Sequence, residues 1–155
     1  MSVNIKLDKK DLARIRERIK KQIEVMKNTA EPMAQASVIL YQSVMKNFRE
    51  QGTDKEKWQA LSPVTLALRR KGKGKGKGTP RILEDTGMLR MSITPEADND
   101  TATVGTNLGY AKKHQFGGRI GKAMIPARPF LVLRENSHQK LIKLMENWFY
   151  KKAEA

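Results

Sequence analysis

The side chains that most often do chemistry in proteins are scarce in this sequence. The 155 residues include two histidines, His114 and His138, and no cysteine. A hydrolase needs a nucleophile beside a base that a third group orients, and neither a cysteine nor a Gly-x-Ser-x-Gly motif is present. The histidine spacing does not build a zinc site, and no glycine-rich phosphate loop occurs. The sequence therefore predicts a protein that is not an enzyme and that needs no cofactor and no metal.

Acidic pairs do not change this prediction. Glu84 and Asp85 are adjacent, so in a strand they would face opposite sides, and Asp85 is better placed to cap the turn at Thr86. The acidic residues between 96 and 100 could suggest a cation site, but they offer no convergent ligands beyond one turn. Turn chemistry is the favoured interpretation.

The balance of charge is strongly basic. Thirty-one Lys and Arg face sixteen Asp and Glu, for a formal charge of +15. Such a charge favours polyanions, including nucleic acid, but it also suits a soluble protein or an acidic protein partner. Both interpretations stay open from composition alone. The absence of cysteine, of a signal peptide and of a long apolar run predicts cytoplasmic synthesis and no membrane association.

A basic segment at residues 69–81, RRKGKGKGKGTPR, alternates lysine with glycine. Glycine freedom and lysine repulsion predict a mobile loop in the free protein. Unstructured lysines can contact phosphate or an acidic partner without fixed geometry, and the alternative is a tolerated surface insertion. The candidate contacts are Arg69, Arg70, Lys71, Lys73, Lys75, Lys77 and Arg81.

Helical periodicity dominates the first third of the chain. A short strand is predicted from Val3 to Leu7, and Asp8 caps a helix with an apolar stripe. That stripe consists of Leu12, Ile15, Ile19, Ile23 and Met26. A second stripe from Ala34 to Phe48 ends at Gly52, so residues 8–51 predict a helical hairpin.

Strand signals follow the basic loop. Alternation predicts strands at Met88–Pro95 and Thr101–Thr106, joined as a β-hairpin, after a β signal at Ile82 and Leu83. A short helical segment is expected over Leu108–Gln115 and a strand over Phe130–Leu133.

Ser137 is predicted to cap a last helix. Helices and strands are therefore segregated along the chain. This predicts an α+β fold over residues 1–155 as a single domain, with an N-terminal helical hairpin and a C-terminal helix packed on a small antiparallel β-sheet.

Five short motifs occur in order between residues 58 and 131. They are Trp58-x-x-Leu61-Ser62-Pro63-x-Thr65, Ile82-Leu83-x-x-Thr86-Gly87-x-Leu89-x-x-Ser92-Ile93, Val104-Gly105-Thr106-Asn107, Tyr110-Ala111-x-x-His114-Gln115-Phe116-Gly117-Gly118 and Ile125-Pro126-Ala127-Arg128-Pro129-Phe130-Leu131. With helices on both sides, this series resembles the phage virion morphogenesis family, which includes tail completion proteins. The long Lys-Gly run departs from the usual pattern of that family.

The resemblance implies a structural virion protein that completes the tail or joins it to the head at the neck. It also implies a ring of six copies around the tail axis, contacts with other neck and tail proteins, and a site of action in the virion after assembly in the host cytoplasm. Packaged DNA in the channel is a further candidate partner. The alternative hypothesis is a free nucleic-acid-binding protein that contacts DNA phosphates without sequence preference.

Aromatic, arginine and proline residues within these motifs are candidate interface residues, because such side chains anchor protein interfaces at low entropic cost. The set is Trp58, Leu61, Pro63, His114, Phe116, Arg128, Pro129 and Phe130. Trp58 suits a core and an interface equally, Phe130 favours the core, and His114 favours a structural role with a local hydrogen bond.

Overall fold

The structure is a computed structural model that describes residues 8–72, 78–121 and 123–154. The predicted strand at Val3–Leu7 and the lysines at 73, 75 and 77 lie outside the described residues. The helices are α1 (Lys9–Met26), α2 (Ala30–Glu50), α3 (Pro63–Lys71), α4 (Met88–Met91), α5 (Ala111–Phe116) and α6 (Glu135–Glu154). The strands are β1 (Thr94–Ala97), β2 (Ala102–Gly105), β3 (Gly118–Ile120) and β4 (Ala123–Ile125).

Helix α2 is the central element of the fold. It packs against the β1–β2 ribbon and against α6, and it contributes Val44 and Phe48 to the core. Phe48 is fully buried and contacts the rings of Trp58 and Phe130 at centroid distances of 5.7 and 5.5 Å. Aromatic side chains bury a large apolar area, so these three rings contribute strongly to the core.

The end of α2 is set by two residues. Gln51 adopts the left-handed conformation, with φ 56°, and the backbone N–H of Gly52 donates to the carbonyl of Asn47. A Cβ on Gly52 would lie 2.6 Å from the carbonyl oxygen of Glu56. The predicted stop at Gly52 thus falls at the correct place, and close backbone approach is the reason for glycine there.

The α+β class is confirmed, but the strands form two separate antiparallel ribbons among the described residues. β1 pairs with β2, and β3 pairs with β4. The predicted strand at Thr101–Thr106 is confirmed as β2. The strand predicted at Met88–Pro95 begins only at Thr94, because residues 88–91 form α4.

Helix α4 explains that error. Leu89 and Ile93 are both buried and are four residues apart, whereas Met91 between them is 70% exposed. The buried apolar residues therefore follow the four-residue spacing of a helix and not the two-residue alternation of a strand. The segment Phe130–Leu133 is also irregular, because side chains of other elements bond its backbone groups in place of a neighbouring strand.

Helix α1 has the predicted amphipathic pattern, but its apolar stripe is not covered within the described chain. The residues Leu12, Ile15, Ile19, Ile23 and Met26 are 39–50% exposed. The main contact of α1 is with α6. The predicted helical hairpin over residues 8–51 implies burial of this stripe against α2, and the structure instead leaves it on the surface.

Three other helices refine the predictions. α3 begins with Ser62 as N-cap, whose Oγ accepts from the N–H of Thr65 at 3.1 Å, and with Pro63 at the first position. α5 confirms the short helical segment near residues 108–115. α6 begins at Glu135, two residues before the predicted cap at Ser137.

Candidate assembly interface

The sequence motifs converge at one end of the core. The indole Nε1 of Trp58 donates to the carbonyl of Pro129 at 3.0 Å. The guanidinium of Arg128 donates to the carbonyl of Gln59 at 3.0 Å and, at 3.4 Å, to that of Ala60. The first and the last motif therefore hold each other through reciprocal side-chain to backbone bonds.

The fourth motif joins the same network. Gln115 Oε1 accepts from the backbone N–H groups of Phe130 and Leu131, both at 3.0 Å. The N–H of Arg128 donates to the carbonyl of His114 at 2.8 Å. These bonds give the extended segment 128–131 partners for its backbone, which a buried segment outside a sheet requires.

The structure separates the candidate interface residues by exposure. Trp58 and Phe130 lie in the core of the domain, and Arg128 is buried beside them. These three stabilise the subunit itself, so the core interpretation holds for both aromatic residues. Leu61, His114 and Pro129 are half-buried, whereas Pro63 is exposed and Phe116 is 71% exposed.

The outer surface near these motifs carries several large apolar side chains. Phe116 ends α5, Met124 lies on β4, and Val64 and Leu68 lie on α3, all of them exposed. Scattered apolar residues are normal on a surface, but Phe116 and Met124 add to the exposed stripe of α1. The molecule therefore presents apolar surface on several elements.

A cleft of about 230 Å³ opens beside the convergent motifs. Leu61, Leu83, Leu89 and Tyr110 contribute apolar and aromatic walls, and Arg69, Asp85, His114 and Arg128 contribute polar groups. The ring of Tyr110 meets that of His114 edge-on at 5.8 Å.

Electrostatics in the cleft disfavour further positive charge. Burial, and then the charges of Arg128 and Arg69, hold the pKa of His114 below its ordinary value of 6.5. Burial and the charge of Arg69 also lower the pKa of Arg128. The Nδ1 of His114 is buried and lacks a hydrogen-bond partner within the described residues, so the expected local hydrogen bond of its ring nitrogen is not formed there.

The basic segment is partly built into the fold. Arg69 lies in α3, donates to the carbonyls of Thr79 and Arg81 at 2.9 and 2.7 Å, and pairs with Asp85 at 3.3 Å. Arg81 donates to the carbonyls of Phe48 and Arg49 at the end of α2. Cations near a helix C-terminus stabilise it, so both arginines have local structural roles. Arg70 and Lys71 are exposed.

Sequence reasoning missed a buried polar cluster around Arg134. Its guanidinium pairs with Glu50 at 2.6 Å and with Asp54 at 2.7 Å, and it donates to Asn47 Oδ1 at 3.1 Å. Asn47 Nδ2 in turn donates to the carbonyls of Phe130 and Val132. Because Asn47, Glu50 and Asp54 lie at least 80 positions before Arg134 in the sequence, local pattern carried no signal for the cluster.

Comparison with protein families decides the identity of the chain. The model of the phage virion morphogenesis family matches residues 10–150, which include the cleft, the convergent motifs and all six helices at least in part. The chain belongs to the phage virion morphogenesis family. The matched residues include all five motifs, and the resemblance seen in the sequence is confirmed.

A curated relative supports this assignment. The chain is 47% identical over 75 residues to "Mu-like prophage FluMu G protein 2" of Haemophilus influenzae. The match covers 46% of this chain and 53% of that protein, so it spans about half of the relative. No solved structure shows a significant match. The chain is therefore a phage protein with a role in virion morphogenesis.

The described residues contain neither a membrane-spanning helix nor a metal-binding cluster. Across residues 8–72, 78–121 and 123–154, no helix is both long enough and apolar enough to cross a membrane. In the same part of the chain, no group of three or more His, Asp and Glu could hold a metal ion.

Proposed function

We propose that this protein is a structural, non-enzymatic subunit of the virion that completes the tail or joins it to the head at the neck. In this proposal the copies form a ring around the tail axis, six in number as the family resemblance suggests. Membership of the phage virion morphogenesis family supports the class of function. The proposal adds the position, the ring and the absence of catalysis.

The uncovered stripe of α1 is the observation that carries the proposal. Five large apolar residues at helical spacing lie on one face of an 18-residue helix, and each is 39% or more exposed. Burial of a side chain of this kind contributes ~1.5–3 kcal/mol relative to exposure. A helix that leaves such a face in water is suited to bury it on assembly.

The position of α1 fits a head-to-tail contact between copies. Its main contact is with α6, while its apolar stripe stays 39–50% exposed. A contact in which one surface of a subunit meets a different surface of the next generates a closed ring when the rotation closes. We infer that α1 is the segment by which each subunit reaches the next one.

Contact with packaged DNA is the second candidate function, and the distribution of charge favours it. α1 carries seven Lys and Arg and three Asp and Glu, and Arg70 and Lys71 are exposed near the Lys-Gly run. A basic face towards the channel would contact phosphates without base readout. This role is compatible with the ring and would also suit a free DNA-binding protein.

Complementation of a phage that lacks this gene tests the proposal. Without the protein, we expect separate heads and tails in lysates viewed by electron microscopy, and the wild-type gene should restore joined particles. A variant with Ile15→Gln and Ile19→Gln should fail to restore them. The matched control is Arg14→Gln with Arg18→Gln, which has the same spacing on the polar face and should restore joining. Normal particles from the Ile variant would contradict the role of α1, and normal particles without the gene would contradict the proposed function.

A further inference from the structure

Arg128 is a buried charge without a counterion in the described chain. Arg128 is only 7% exposed, and no described carboxylate lies within ion-pair distance of its guanidinium. Its Nε and Nη2 donate to the carbonyls of Gln59 and Ala60. Buried charges in proteins are paired, because an isolated one loses its hydration without compensation. An anion is the component that this arrangement lacks.

The neighbouring groups do not supply that anion. Asp85 lines the same cleft, but it pairs with Arg69 at 3.3 Å and so offsets that arginine. His114, on α5, carries no negative charge in either protonation state. One arginine offset by one aspartate leaves the charge of Arg128 uncompensated in the cleft.

The shape of the cleft restricts the source of the anion. It measures about 230 Å³ and has walls from Leu61, Leu83 and Leu89, so it has room for a side chain with apolar surroundings. The guanidinium lies in the wall of a concave cleft, a shape that the convex phosphate backbone of a DNA duplex does not match. A carboxylate on a flexible side chain can reach it, and it matches the planar fork of arginine.

We propose that this cleft is a binding site for the carboxylate side chain of a neighbouring protein subunit, with Arg128 as its main partner. The inference rests on the proposed function only in taking the donor to be another subunit of the particle. Carboxylate binding itself is a property of the isolated chain and is measured there. A failure of carboxylate binding can therefore be distinguished from a failure of the proposed neck position.

The two histidines provide the readout. In solution NMR, the ring signals of His114 report on the cleft, and those of His138, which is exposed on α6, serve as an internal control. The probe is N-acetylglutamic acid α-amide at constant ionic strength, and the neutral control is N-acetylglutamine α-amide. We expect a saturable displacement of the His114 signals by the glutamate probe, with little effect of the glutamine probe and no change at His138.

Other results would overturn the proposal. Equal effects of both probes would show that the charge is not recognised, and no displacement at His114 would show that the cleft does not bind a carboxylate. Saturation by inorganic phosphate at lower concentration than by the glutamate probe would identify a phosphate site. A His114 displacement that appears on raising protein concentration, and that the glutamate probe competes away, would identify a second copy as the donor. If the glutamate probe binds but a higher protein concentration does not displace the His114 signals, a different subunit would be the carboxylate donor.

Variants separate binding from folding. Arg128→Gln should abolish the response of His114, and Arg49→Gln, at an exposed arginine on α2 outside the cleft, should leave it unchanged. If Arg128→Gln does not fold, Leu61→Trp fills the cleft while the bonds of Arg128 to the two carbonyls persist, and it should also abolish the response. A full response in a folded Arg128→Gln or Leu61→Trp variant would contradict the site.

Discussion

At the scale of single residues, Arg134 connects α6 to the end of α2 and to the loop after it. Replacing it with alanine removes the partner of Glu50, Asp54 and Asn47 together. Loss of one member of a buried ionic cluster costs about 3–5 kcal/mol, and the partial exposure of both carboxylates places this site near or below the lower limit. We expect Arg134→Ala to lower the free energy of unfolding by about 2–3 kcal/mol in urea titrations. Arg49→Ala, an exposed arginine on α2, should change it by less than about 0.5 kcal/mol.

His114 makes the free energy of unfolding depend on pH, with lower stability in acid. Its pKa in the folded chain is below the ordinary value of 6.5, because burial and two arginines disfavour the imidazolium. The unfolded state therefore binds the proton more readily, so this contribution is complete above pH 6.5 and is lost as the pH falls below it. Urea midpoints measured at descending pH should show the loss. His114→Gln should flatten this dependence near pH 6, whereas a flattening by His138→Gln instead would contradict the assignment.

At the scale of elements, the turn of the β1–β2 ribbon is organised by Asp98. The backbone N–H of Asp100, and then the hydroxyl and N–H of Thr101, donate to its carboxylate and lower its pKa below 3.8. A depressed carboxyl pKa stabilises the turn above pH 3.8 and loses that effect as the pH falls through the folded value. We expect amide exchange at residues 100 and 101, corrected for intrinsic rates, to accelerate in acid. Asp98→Ala should show the fast exchange at neutral pH, and unchanged protection in that variant would contradict the assignment.

The turn also reaches the junction of α1 and α2. The hydroxyl of Thr29, the residue before α2, donates to the carbonyl of Asn99. This bond links the direction of α1 to the ribbon that packs on α2. Thr29→Val should therefore increase exchange at the start of α2 while the global free energy of unfolding falls by about 1 kcal/mol or less. A loss of several kcal/mol would show that the junction contributes more than this one bond.

The elements differ in how far the sequence predicted them. α2, β2 and α5 have local patterns that their tertiary positions satisfy, and the structure confirms them. α3 had a usable signal that was missed, since Ser62 and Pro63 are favoured at a helix start. The sequence alone does not distinguish α4 from a strand. The distinction requires the knowledge that Leu89 and Ile93 are buried while Met91 is exposed.

The site was predictable in its residues and not in its arrangement. The order of motifs identified the family, and the segments around Trp58, His114 and Arg128 do meet in space. Their exposure could not be read from the sequence, because an aromatic residue in a Pro-containing segment suits a core and an interface equally. The Arg134 cluster and the exposure of the α1 stripe depend on which distant residues come into contact. The periodicity of a local sequence segment does not predict such contacts.

At the scale of the whole molecule, a charge of +15 coexists with exposed apolar surface on α1. Repulsion between like-charged copies opposes association at low salt, and screening weakens that repulsion. We expect weak self-association of the isolated chain that strengthens as salt is raised, measured by sedimentation velocity. The Ile15→Gln, Ile19→Gln variant should stay monomeric under all conditions. Self-association of this variant equal to that of the wild type would contradict α1 as the contact between copies.

Nucleic-acid binding has the opposite dependence on salt. If the basic surface contacts DNA phosphates, affinity for duplexes of unrelated sequence should fall steeply and equally as salt increases. Absence of binding at low salt would remove the DNA-contact role and leave the ring proposal intact.

Electron microscopy of the assembled particle tests the proposed ring directly, because it locates this chain and counts its copies around the tail axis. We expect a closed ring at the head-proximal end of the tail, with the apolar stripe of α1 buried against the adjacent copy. Absence of the chain from finished particles, or a location away from the head-tail junction, would contradict it.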